Sequence, residues 1–129
     1  MKSNDLNKLT HRIIGCAMEV HNKMGNGFQE VVYQRALAIE FELQKLSFAR
    51  ELEMDLIYKD LSVGKRRVDF FVEDNVMVEI KAVEELESVH KAQAINYCEA
   101  YNIADGLLIN FGSTSLQFQR VFNKKLRVN

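Results

Sequence analysis

The stretch Arg67-Val68-Asp69-Phe70-Phe71-Val72-Glu73-Asp74-Asn75-Val76-Met77-Val78-Glu79-Ile80-Lys81 holds the residues best suited to chemistry. Two β-rich runs flank a turn-forming Glu73-Asp74-Asn75. A hairpin centred on Asp74 sets Phe71 opposite Met77, Asp69 opposite Glu79 and Arg67 opposite Lys81. Strand side chains alternate between faces, so Val68, Phe70, Val72, Val76, Val78 and Ile80 are expected on one apolar face and the charges on the other. Opposed carboxylates repel, more so when partly buried. A divalent cation with oxygen ligands would relieve that repulsion, and magnesium commonly takes one or two carboxylates while keeping waters and phosphate oxygens. Lys81, on the same side as Glu79, could then orient an attacking water or stabilise charge building on a phosphate. The same four charges also describe an exposed ion-pair lattice worth only about tenths of a kcal/mol per pair. Taken by themselves they favour the lattice.

The elements that must position these residues can be read from periodicity. From about Asn4 to Met24, apolar residues Leu6, Leu9, Ile13, Ala17, Val20 and Met24 recur in steps of three and four, the mark of an amphipathic helix. Gly25-Asn26-Gly27 ends it with residues that tolerate positive φ. A second helix is expected from Phe28 to about Leu46, largely buried, with Val32, Ala36, Ile39 and Leu43 as one face broadened by Val31, Ala38 and Phe41. Alternation over Leu52, Met54, Leu56 and Tyr58 predicts a first strand ending at a Lys59-Asp60 turn. After the hairpin, Glu84 to Tyr101 has helical spacing with acids at its start. Gly106 to Phe111 suits a strand buried on both faces, and Leu116, Phe118, Arg120 and Phe122 suit a last strand. The order predicts an α/β (α+β) fold, a mixed sheet with helices packed on it.

The 129 residues, 47% hydrophobic and without proline, linker or repeat, are read as one domain spanning 1–129. Cys16 and Cys98 lie far apart without CxxC spacing and read as reduced, buried small hydrophobes. The polar N-terminus lacks the apolar core of a signal peptide, and eighteen apolar residues nowhere run together, so a cytoplasmic location without membrane partner is expected. With 17 Lys and Arg against 18 Asp and Glu, the overall charge of −1 advertises no polyanionic partner. Nucleic-acid binding would have to come from local patches, Lys65-Arg66-Arg67 and Arg120, Lys124, Lys125 and Arg127, each by itself an ordinary solvated surface. His21 and His90 lack a third ligand at zinc-like spacing and suit capping or surface roles. Cys98 and His90, eight residues apart on one helix, form no nucleophile pair.

At this point the sequence resembles a known family. Asp69, followed after nine residues by Glu79-Ile80-Lys81, matches the D…ExK core of the PD-(D/E)XK nucleases, with Val68 in the place of the name-giving proline. Gly27-Phe28-Gln29-Glu30-Val31-Val32-Tyr33 is similar to the GxxExxY motif of a family of small proteins within that superfamily. Gln93-Ala94-Ile95-Asn96-Tyr97 looks like the QxxxY element of RecB-like members. The resemblance implies a restriction-endonuclease-like core: a mixed central sheet flanked by helices, with the site where the sheet splays. It also implies that Asp69 and Glu79 bind the metal directly, with the Ile80 carbonyl as a further ligand and Glu30 joining through water. Lys81 would be the catalytic lysine, and Gln93 and Tyr97, four apart on one helix face, would orient Lys81 or the scissile phosphate. Tyr33 could equally be a core tyrosine with its hydroxyl at the edge.

The expected function is therefore a nuclease dependent on magnesium or manganese, acting on DNA or RNA and open to pairing as a homo-oligomer. Its competitor is a catalytically silent module of the same fold that binds nucleic acid or a protein. A third reading is a structural oligomer with the charged face as its interface.

Overall fold

The computed structural model describes residues 2–126. Its element order is α1 (Ser3–Met24), α2 (Glu30–Leu43), β1 (Phe48–Tyr58), β2 (Leu61–Val72), β3 (Val76–Lys81), α3 (Ser88–Ala100), β4 (Asp105–Asn110) and β5 (Gln117–Phe122). The strands form one five-stranded sheet in chain order. Its pairings are antiparallel except for β3 with β4, which the α3 crossover makes parallel. This is the expected mixed sheet flanked by helices. Among the described residues no helix is long and apolar enough to cross a membrane.

Local chemistry sets the chain reversals. Gly25 ends α1 at φ 75° and donates its N–H to His21 O at 2.9 Å. Lys59 and Asp60 both adopt left-handed φ, 47° and 68°, the geometry a two-residue hairpin loop requires between β1 and β2. Between β2 and β3, Asn75 N–H closes the turn onto Val72 O at 3.0 Å.

One core cluster packs α1 and α2 against the sheet through Ile13, Tyr33, Leu37, Phe41, Phe70, Val78, Ile80 and Ile109. A second packs α3 on the opposite face through Val68, Met77, Ala94, Cys98 and Val121. Both cysteines are free and buried. Burial pushes the Cys98 thiol up to about 12, which leaves it un-ionised at neutral pH.

Three expectations need correction. Val68 does not share the face of Phe70; it lies in the α3-side cluster. The β1–β2 ladder runs from Phe48–Val72 to Arg50–Phe70 and resumes at Leu52–Val68, leaving Glu51 and Asp69 outside it, and Glu51 sits at φ 54°. This local irregularity reverses the alternation. Second, α2 buries Tyr33, Gln34, Leu37, Ala38 and Phe41, whereas Ile39 and Leu43 are 60% and 68% exposed. A helix with apolar residues all around does not declare its inner face by pattern. Third, α3 begins at Ser88, not Glu84. The segment before it is tied to β4 and β5 instead: Val83 N donates to Asn110 Oδ1 and Leu86 N to Gln117 Oε1, both at 2.9 Å.

Candidate metal and catalytic centre

The β2–β3 ladder follows the expected register, with Phe71 opposite Met77, and its last pair is Phe70 with Val78. Asp69 and Glu79 would form the next rung. There the strands part and carboxylates replace carbonyls as acceptors. Asp69 N–H donates to Glu79 Oε1 at 3.2 Å, and Ile80 N–H donates to Asp69 Oδ2 at 2.8 Å. The two acids are thus joined through the backbone at the point where the sheet splays. A residue in a strand sends its N–H and C=O to the same side, so the Ile80 carbonyl is directed to this opening too.

A helix holds Asp69 from its other side. Gln34 Nε2, on α2, donates to Asp69 Oδ1 at 2.8 Å. Arg50 in turn donates to Gln34 Oε1 through Nε at 3.3 Å and a terminal nitrogen at 3.0 Å, which fixes which end of the amide faces Asp69. Glu30, Val31, Gln34, Glu51 and Asp69 line an adjoining cavity of about 290 Å³.

Glu79 is 3% exposed. Burial, and then the charge of Asp69, pushes its carboxyl up to about 8, against the Asp69 N–H bond and the cations Arg66 and Lys81. Burial likewise raises Asp69, opposed by the bonds from Ile80 and Gln34 and by Lys81 and Arg66. Glu30 is raised by burial and by the charge of Asp69. Three acids thus resist ionisation in one place, and added positive charge would relieve them. Among the described residues no group of three or more His, Cys, Asp or Glu is compact enough to hold a metal unaided. Two carboxylates backed by a carbonyl are hard oxygen donors, the kind that a cation such as magnesium takes while keeping water.

The structure brings Asp69, Glu79 and Ile80 together and places Lys81, half-buried at the end of β3, within electrostatic reach of all three acids. Glu30, the first residue of α2, stands at the exposed rim. Tyr97 is half-buried and lies beneath Arg66, whose guanidinium carbon is 4.8 Å from the ring centroid. Gln93 is exposed and makes no side-chain hydrogen bond among the described residues. Tyr33 is fully buried: its hydroxyl donates to Gly25 O at 2.5 Å and accepts from Phe28 N–H at 3.2 Å, and its ring stacks on Phe111. It pins the α1–α2 loop that launches Glu30.

Sequence reasoning missed Gln34 and Arg50, and placed Arg66 only in a basic surface patch. Gln34 lies one helical turn after Glu30, a spacing that could have flagged it. Arg66 carried no such signal, because simple alternation points Arg67 toward the acids. In the folded chain Arg67 instead pairs with exposed Glu53 at 3.5 Å, while Arg66 stands 4.0 Å from Glu79 Oε2. The basic patches are largely paired internally: Lys65 with Glu53, Lys125 with Glu99, and Arg120 with Asp105 and Asn7. Arg127 lies outside the described residues. A larger cavity, about 520 Å³, separates α1 from α2 around Arg12, Gly15, Cys16 and Glu40. Burial pushes Cys16 up to about 11, so its thiol meets this cavity un-ionised at neutral pH.

A family model described as PD-(D/E)XK nuclease superfamily matches residues 7–121. No curated protein sequence matches the chain. The crystal structure of SSO0001 is similar in fold, with a TM-score of 0.59 at 15% identity, covering 72% of this chain. The chain spans 50% of the length of that protein.

Proposed function

The chain belongs to the PD-(D/E)XK nuclease superfamily, and on that premise we propose that it is a magnesium-dependent nuclease cleaving nucleic-acid phosphodiester bonds by water attack. One observation carries the reading: Asp69 and Glu79 converge where β2 and β3 part, with Lys81 and Arg66 as the neighbouring cations. Asp69, Glu79 and the Ile80 carbonyl would hold the ion, with Glu30 joining from the rim through water. Bound magnesium, or manganese in its place, supplies Lewis-acid charge and a more acidic water.

The balance of charge supports a diester. Three carboxylates against two cations leave one net negative charge in the site when all are ionised. A divalent ion and a singly charged phosphodiester bring that to neutrality, whereas a phosphomonoester dianion would leave it negative. Lys81 Nζ donates to the incoming water or to a non-bridging oxygen, where negative charge accumulates. The water gives up a proton to solvent as its oxygen joins phosphorus, the bond from phosphorus to the leaving sugar oxygen breaks, and solvent returns a proton to that oxygen. Tyr97 would act on this centre through Arg66, and Gln93, one helical turn before it on α3, would orient the scissile phosphate.

The test is cleavage of labelled single- and double-stranded DNA and RNA with magnesium or manganese, run beside calorimetric titration of manganese. The wild type should cut at least one substrate, and Asp69→Ala should lose both cutting and manganese binding. No cleavage by the wild type, together with unchanged manganese binding in Asp69→Ala, would overturn the proposal. Both oxygens of Asp69 already accept hydrogen bonds, which favours as second reading a silent binding module. Salt-dependent nucleic-acid binding that survives Glu79→Gln, without cleavage, would select it.

A further inference from the structure

We propose that Arg66 is the side chain through which this site grips the phosphate of its substrate, a role that deepens the nuclease reading and rests on it. The position follows from the irregularity in β2. Because alternation reverses at Asp69, Arg66 faces the buried acids, and Arg67 turns outward to Glu53. Arg66 is thereby the one residue of the Lys65-Arg66-Arg67 run that the fold delivers to the centre.

Its contacts are those of a cation held ready, not of one consumed by an ion pair. A structural arginine closes on its carboxylate at about 2.7–2.9 Å, usually with two parallel bonds. Here the approach to Glu79 Oε2 is 4.0 Å, beyond hydrogen-bonding distance. Nε is buried with no hydrogen-bond partner, the only buried side-chain nitrogen or oxygen so placed among the described residues. The guanidinium lies 4.8 Å over the Tyr97 ring, and Tyr101 Oη donates to the Arg66 carbonyl at 3.4 Å, holding the backbone beneath it. The group is therefore a planar fork braced on the Tyr97 ring and hydrogen-bonded to that side chain, with Nε still unfilled. Two non-bridging phosphate oxygens match the geometry of that fork. In this arrangement Tyr97 is a positioning residue for Arg66.

The experiment compares wild type, Arg66→Ala, Arg66→Lys and Arg67→Ala. Cleavage kinetics are measured in magnesium, and anisotropy of a fluorescent DNA oligonucleotide and its RNA counterpart is followed across a KCl series. Circular dichroism confirms folding, and Arg66→Gln replaces Arg66→Ala if the latter does not fold. Arg66→Ala should lower kcat/KM about 100-fold and reduce the salt slope of binding by about one phosphate contact. Arg66→Lys should recover the slope but only part of the rate, since a point charge lacks the fork. Arg67→Ala should stay within about twofold of wild type, as expected of an exposed pair. Wild-type cleavage with unchanged kcat/KM and salt slope in Arg66→Ala would overturn the proposal and leave the nuclease reading standing. Absent cleavage with a reduced slope would do the reverse. A change confined to thermal stability, with the slope intact, would reduce Arg66 to a counter-charge for Glu79 and also overturn the proposal.

Discussion

Glu79→Gln should make the metal-free protein more stable in alkaline solution, against the usual expectation for a substitution in a buried site. The carboxyl is 3% exposed and pushed up to about 8 from an ordinary value of 4.5, by burial first and the charge of Asp69 second. In the unfolded chain it ionises near 4.5. Between these limits the folded state holds the extra proton, so stability falls as pH rises, by about 1.4 kcal/mol per pH unit, and levels off above about 8. A gap of about 3.5 units corresponds to roughly 5 kcal/mol at most. That figure is a large share of the about 5–15 kcal/mol that holds a domain together.

Glutamine keeps the shape and an oxygen to accept the Asp69 N–H now bound by Glu79 Oε1, but it has no charge to bury. Urea unfolding in EDTA across pH 4 to about 9.5 should give coinciding stabilities in acid. The curves should then diverge in favour of Glu79→Gln, approaching several kcal/mol above pH 8. Asp69 and Glu30 are raised as well, so the wild type should decline with the same sign at those groups. Magnesium added to the wild type at pH 9 should restore stability, by about 2.7 kcal/mol at a hundredfold excess over Kd, and should restore little in Glu79→Gln. Parallel curves for the two proteins, or a wild type that gains stability between pH 5 and 8, would refute the argument that Glu79 is buried at a cost in the absence of a cation.

Two further outcomes test the scaffold. Tyr33→Phe removes the hydroxyl bridging Gly25 O and Phe28 N–H; it should cost about 1–2 kcal/mol in urea unfolding and leave manganese affinity at Asp69 within a few-fold, since the ring keeps its stack on Phe111. Gly112→Ala would set a Cβ 2.4 Å from the backbone of Val83, forcing apart the segment that follows Lys81, so a loss of about 1–3 kcal/mol should come with a fall in cleavage rate larger than Tyr33→Phe produces.

Much of the centre was legible in the sequence because it depends on local spacing. A hairpin about Asp74 has only one register compatible with its turn, and that register alone places Asp69 across from Glu79. Period-two alternation likewise puts Glu79 and Lys81 on one side of β3, and the apolar run Gly106–Phe111 announces a buried strand. Helix α1 and its glycine stop are equally local. What alternation could not state is where it fails. Glu51 takes a left-handed backbone and Asp69 drops out of the ladder, and that break in alternation exchanges Arg67 for Arg66 at the acids. Gln34 and Arg50 meet Asp69 only once α2 has chosen its buried face, a choice left undecided by a helix apolar on every side. The chain's spacing determined which acids would meet; three-dimensional packing decided which cation and which amide would meet them, because contacts between separate elements depend on how whole faces pack, and no local period encodes that.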